Sequence, residues 1–178
     1  GAGRTDTGVH ALGQVFHFDA DINMKAESMC NAINSRLPKD IYIKKVEIVS
    51  NEFHSRFSAK SKLYKYIIDI GEYNPLYINY RYYFHYKIDI EKFISASRIF
   101  IGEHDFSAFT KNHKLIDTTR NIYSFDTEVK DNLILISIHG DGFMHNMIRI
   151  MVAMLLEVAR GRITKDQLQV IMDSKNRK

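Results

Sequence analysis

The chain has 178 residues, 45% of them hydrophobic and 26% charged, with a formal net charge of +4. That balance excludes wholesale disorder, and no apolar run approaches the roughly 18 residues a membrane span needs. Cys30 is the only cysteine, which excludes a disulfide within the chain and a cysteine-based zinc site and points to a reducing cytoplasm.

The chain opens inside a Gly-rich motif and without an initial Met, so it is read as a fragment. Residues 14–18 alternate as a short strand. Asn23 stands where it would cap a helix over residues 23–36, with Met29, Ala32, Ile33 and Leu37 on one face and Pro38 just beyond. Residues 41–49 and 59–70 read as strands, the second rich in Tyr and Ile and ended by Gly71. Asn74-Pro75 signals a loop over residues 74–81. Asp89 caps a second helix that carries Ile90, Phe93, Ile94 and Ser97 at helical spacing. Residues 120–138 form a hairpin that turns near Lys130-Asp131-Asn132. A long apolar helix is expected over residues 143–159, interrupted by Arg149 and Glu157. Thr164 and Gln167 have the spacing of a capping box for a last helix. Antiparallel hairpins among long helices give an α+β class, with a boundary near residues 55–59.

Asp6-Thr7-Gly8 matches the triplet of aspartic proteases. Those enzymes need two facing aspartates that share one proton, and one copy is present, so a homodimer would have to supply the other. Arg4 projects to the same side as Asp6 on an extended segment. Its guanidinium favours the ionised carboxylate and works against a shared proton. A carboxylate held ionised suits a nucleophile or a base. An Asp before x-Gly can also simply cap a turn.

Basic residues fall in three groups: Lys60, Lys62 and Lys65 interleaved with Tyr64 and Tyr66; Lys111, His113 and Lys114; and Arg160, Arg162 and Lys165. Cations interleaved with aromatics suit phosphate contact with base stacking. Lysines on a strand edge also discourage aggregation, and Tyr64, Tyr66 and Ile68 on one strand face can equally be core. Arg149, in an apolar helix, is expected to be buried and so to need an acidic partner, the alternative being an arginine that reaches solvent along its stem. The eight histidines show no metal-ligand spacing.

Several ordered motifs carry a resemblance that spans nearly the whole chain. Gly3-Arg4-Thr5-Asp6-Thr7-Gly8-Val9-His10-Ala11 is followed by Gly13-Gln14-Val15, by Leu37-Pro38-Lys39-Asp40-Ile41 and by Phe53-His54-Ser55-Arg56-Phe57-Ser58-Ala59. Lys62-Leu63-Tyr64-Lys65-Tyr66, Gly102-Glu103-His104-Asp105-Phe106-Ser107-Ala108-Phe109 and Gly142-Phe143-Met144-His145-Asn146-Met147-Ile148-Arg149 complete the series. Together they resemble the tRNA pseudouridine synthase A family. The chain departs from that family in lacking a strand and helix before the Asp motif and a segment after the last helix. Ile150-Met151-Val152-Ala153 also stands where Asn-Ile-Val-Gly is commoner.

The resemblance implies two ferredoxin-like, RRM-like halves whose antiparallel sheets meet at a central active-site cleft. Residues 1–58 would be the remainder of the first half and residues 59–178 the second. It implies isomerisation of uridine to pseudouridine in the anticodon stem-loop of tRNA, around tRNA positions 38 to 40, by a homodimer that needs no cofactor and no metal. Asp6 would be the nucleophile. It could attack C1′, add to C6 or remove the C2′ proton. Arg149 would pair with it, and Arg4 would assist base flipping or hold a phosphate. Tyr64 would stack on the uracil, Met144 would line the pocket, and Lys60, Lys62 and Lys65 would meet the RNA backbone. The competing reading is a catalytically inactive, truncated module of the same fold that holds structured RNA through Lys60, Lys62, Lys65 and Arg162.

Overall fold

The computed structural model describes residues 1–111 and 116–175. They form two compact units. One comprises Gly1–Thr5 and His10–Ala59; the other joins Asp6–Val9 to the chain from Lys60 onward.

The first unit contains one regular element, helix α1 (Ala26–Asn34). Its last residue ties it to the following segment: the Asn34 side-chain amide donates to the Ile43 carbonyl at 2.9 Å and accepts the Ile43 N–H at 2.8 Å. The Cys30 thiol donates to the same carbonyl at 3.3 Å. The expected Asn23 cap does not form. The helix starts three residues later, behind Lys25, with no side-chain cap bond. The expected strands over residues 14–18 and 41–49 are also absent as ladder elements. Alternation supplies only one face of a strand, and a ladder needs a neighbour to take its N–H and C=O groups. In the first segment the Val15 carbonyl accepts the Ala2 N–H at 2.8 Å, without a ladder forming.

The second unit is a five-stranded sheet with helices. Its strands are β1 (Lys62–Asp69), β2 (Tyr82–Tyr83), β3 (Gly102–Asp105), β4 (Thr119–Lys130) and β5 (Leu133–Gly140), in the order β2-β1-β5-β4-β3. Every pairing is antiparallel except β1 with β2, so the sheet is mixed. The α+β class read from the sequence is what the chain adopts, although the sheet is not wholly antiparallel. The β4–β5 hairpin turns through Asp131 and Asn132, with Asp131 at φ 53°, a left-handed position that Asp tolerates better than most residues.

Helices α2 (Ile90–Ser97), α3 (Met147–Ala159) and α4 (Lys165–Asp173) complete this unit. Asp89 caps α2 by accepting the Lys92 N–H at 3.1 Å. The capping box of α4 closes both ways, Gln167 N–H to Thr164 Oγ1 at 3.1 Å and Thr164 N–H to Gln167 Oε1 at 2.8 Å. One core joins Ile68, Ile122, Phe125, Ile134, Ile136 and Ile138 of the sheet to Phe93 of α2, Met147, Met151 and Leu155 of α3, and Leu168 of α4. Phe100 sits at its aromatic centre, 5.2 Å from Phe109 edge to face and 6.2 Å from Phe125.

Gly140 marks a close approach. A Cβ there would meet the Asn121 carbonyl at 2.8 Å. This is where β4 bulges between Ile122 and Ser124. The chain leaves the sheet at this point for the lead-in to α3.

Removing a fully buried ring leaves a cavity as well as lost transfer energy. Phe100→Ala is expected to lose about 3–5 kcal/mol in urea denaturation. A loss below about 1 kcal/mol would contradict the central place given to that ring.

Candidate active site

Asp6 belongs to a tight turn. Its carbonyl accepts the Val9 N–H at 3.1 Å, and Gly8, the third residue, has φ +78°. That backbone state favours glycine. The turn packs with the second unit and presents the Asp6 carboxylate, a quarter exposed, to the start of α3.

Three groups near α3 meet that carboxylate. The Asn146 backbone N–H donates to Asp6 Oδ2 at 3.1 Å. Arg149 Nε lies 4.0 Å from the same oxygen, and His145 Nε2 lies 3.6 Å from Oδ1. Arg149 makes its close bond to the turn's backbone, with one guanidinium nitrogen donating to the Thr7 carbonyl at 2.8 Å. It therefore holds the turn in place as well as facing the carboxylate. A guanidinium, a backbone N–H and the N-terminal end of a 13-residue helix thus all face the Asp6 carboxylate.

Two expectations need correction here. Arg149 is exposed rather than buried, with 42% of its side chain accessible. Its position in the first turn of α3, on the flank away from the core, lets an apolar helix carry it without a full desolvation cost. The helix also begins at Met147 and not at residue 143, because Asn146 adopts φ 60°, ψ 8°. A left-handed residue cannot continue a right-handed helix backwards.

Tyr64, on β1, completes the group. Its ring meets Phe143 edge to face at 5.1 Å. Burial, and then the negative charge of Asp6, raise its hydroxyl pKa above the ordinary tyrosine value. Tyr66, two residues on, is also raised, first by burial, with Arg149 acting in the opposite direction. Both tyrosines thus lie within electrostatic reach of the pair that faces them from the turn and from α3.

The other candidate residues are dispersed. Met144 is buried in the core, 7% exposed, and its carbonyl accepts the Met147 N–H at 3.0 Å. Lys62 shares the Tyr64 face of β1, whereas Lys65 lies on the opposite face, following the alternation of the strand. Lys60 is exposed just before β1, and Arg4 is exposed in the first unit. Arg160 is largely buried. It pairs with Glu157 at 3.4 Å and stacks on Tyr86 at 3.7 Å, while Arg162 reaches the same Glu157 at 3.3 Å. His113 and Lys114 lie outside the described residues. Among the described residues no cluster of three or more His, Cys, Asp or Glu could hold a metal ion, and no helix is long and apolar enough to cross a membrane.

His145 and Asn146 do not stand out in the sequence as contributors to the Asp6 environment. The available signal is an Asn immediately before an apolar helix, since Asn is among the few residues that adopt left-handed backbone readily.

The site falls inside a set of known likenesses. Residues 96–178 match the family model described as tRNA pseudouridine synthase. A tRNA pseudouridine synthase A of Limosilactobacillus reuteri is 42% identical over 182 residues, which cover 99% of this chain and 71% of the relative. The proteins of that name from Lacticaseibacillus casei and Bacillus subtilis are 43% and 38% identical, again over 99% of this chain and over 73% and 72% of their own lengths.

Removing the Asp6 charge should be felt at Tyr64. In Asp6→Asn the Tyr64 hydroxyl is expected to titrate at lower pH than in the wild type, still raised by burial, in an NMR titration of carbon-13-labelled tyrosine. An unmoved midpoint would contradict the facing of these two groups.

Proposed function

The chain belongs to the tRNA pseudouridine synthase A family, and from that premise we propose that it converts uridine to pseudouridine in the anticodon stem-loop of tRNA, around tRNA positions 38 to 40, with Asp6 as the nucleophile. The observation that carries this reading is the Asp6 carboxylate held by a backbone N–H and faced by Arg149, with Tyr64 near enough to sense its charge. The reaction breaks the N1–C1′ bond and joins C5 to C1′. N1 gains a proton and C5 gives one up, so the product is an isomer and no oxidant, reductant or energy source is consumed.

Each neighbour then has a task. The target uridine leaves its stack to reach Asp6. Arg4 fills the vacated space or holds a phosphate. Tyr64 stacks on the uracil; a ring face tolerates rotation of the base between bond breaking and bond making, where directed hydrogen bonds would resist it. Arg149 keeps Asp6 ionised and oriented, and Met144 supports the pocket from the core. Lys60, Lys62 and Lys65 meet the RNA backbone. Residues 1–58 and 59–178 are read as two ferredoxin-like halves of a cytoplasmic enzyme that works as a homodimer without cofactor or metal.

Asp6→Asn is expected to abolish pseudouridine formation, mapped by carbodiimide modification and primer extension across tRNA positions 38 to 40, while gel-shift affinity for tRNA is retained. Undiminished modification by that variant would remove Asp6 from the chemistry. Wild-type binding without modification would favour the RNA-holding module. Changing Lys60, Lys62 and Lys65 together to Ala is expected to weaken tRNA binding and flatten its dependence on salt, by about 0.7–0.9 in log–log slope for each phosphate that is no longer neutralised. An unchanged slope would take these lysines out of the interface, and the single variants separate Lys65 from Lys62 on the other face of β1.

A further inference from the structure

Met144 to Met147 form a second tight turn that faces the one carrying Asp6. The Met144 carbonyl accepts the Met147 N–H at 3.0 Å, and the third residue, Asn146, is left-handed. In such a turn the N–H of the third residue takes no part in the turn's own bond. Here that N–H is the one donated to Asp6 Oδ2 at 3.1 Å. The same peptide is gripped at its other end. The His145 carbonyl accepts from the Thr110 hydroxyl and from the Lys111 N–H, each at 3.4 Å. Thr110 is 1% exposed, so this hydroxyl reaches the peptide from inside the protein.

We propose that Asn146 and Thr110 are positioning residues for Asp6: the left-handed backbone of Asn146 sets the direction of the His145–Asn146 peptide, and Thr110 fixes it from behind, so that its N–H holds one carboxylate oxygen in place. This inference rests on the reading of Asp6 as the reacting group. The Asn146 side chain is not what acts on Asp6; its amide nitrogen instead lies 2.9 Å from His145 Nε2. What matters is the sign of φ. A residue that avoids the left-handed region drives the central peptide to turn over, which carries the N–H away from the carboxylate. Glycine keeps it. A carboxylate displaced by about 1 Å from its attacking position can cost on the order of a hundredfold in rate.

Kinetics with Asn146→Gly, Asn146→Val and Thr110→Val test this. Asn146→Val is expected to lower kcat for pseudouridine formation by roughly ten- to a hundredfold with KM for tRNA unchanged. Asn146→Gly should stay close to wild type, and Thr110→Val should lower kcat by a smaller factor, again without moving KM. A purely structural role would not divide kcat from KM in this way. The second measurement needs no turnover and covers the case in which Asn146→Val does not fold. The Asn146 amide proton is expected to resonate downfield in the wild type and to move upfield in Asp6→Ala. The proposal is overturned if Asn146→Val retains wild-type kcat where Asp6→Ala has none, or if the Asn146 amide does not respond to loss of Asp6. Absence of turnover by the wild type would strike at the proposed reaction instead, and the amide shift would still decide the contact.

Discussion

One bond, from the Asn146 N–H to Asp6 Oδ2, joins a four-residue turn near the start of the chain to the residue that leads into α3, 140 positions later. Much of the second unit can be understood as what is needed to keep those two groups together. A turn of Asp, Thr, Gly and a single half-buried Val has little apolar surface with which to fix itself. It is held by directed contacts: the amide on the Asp6 carboxylate and the Arg149 guanidinium on the Thr7 carbonyl. Both donors come from the first turn of α3 or its lead-in. α3 is in turn fixed by a buried face that runs from Met147 to Ala159. Packing energy in the core thus becomes positional accuracy at a partly exposed carboxylate.

The electrostatic consequence follows from the same arrangement. A carboxylate at a helix start, faced by an arginine and bonded by a backbone N–H, is held in place while a quarter of it stays open to water. Tyr64 reports the charge from the sheet side, through a hydroxyl pKa raised by burial and by Asp6. The anion and the tyrosine thus lie within electrostatic reach of each other. The left-handed turns at Gly8 and Asn146 bring the chain close enough for this to happen.

Much of this is legible in the sequence, for identifiable reasons. Caps are local, so Asp89 and the Thr164–Gln167 box are readable from spacing and form as expected. The β4–β5 hairpin is readable because Asp-Asn suits a two-residue turn. Residues 14–18 and 41–49 read as strands from alternation alone, which says nothing of whether a neighbour exists to complete the ladder. Arg149 is legible as a partner for Asp6, but its apolar neighbours suggest a burial it does not have, because a helix flank can leave solvent to one residue in an otherwise apolar run. The start of α3 is not placed by apolar spacing, because the left-handed Asn146 interrupts it and the groups that use the resulting peptide direction, Asp6, Thr110 and Lys111, lie far along the chain. No local pattern contains those partners.

The measurement that bears most directly on Asp6 as the centre of the chemistry is tritium release from tRNA whose uridines are labelled at C5. Pseudouridine cannot form without expelling that hydrogen. Release by the wild-type protein, and none by Asp6→Ala at equal tRNA occupancy, is the result expected of a nucleophile at this position. Equal release by both proteins would contradict the role of Asp6. No release by the wild type would leave a protein that holds RNA without isomerising it.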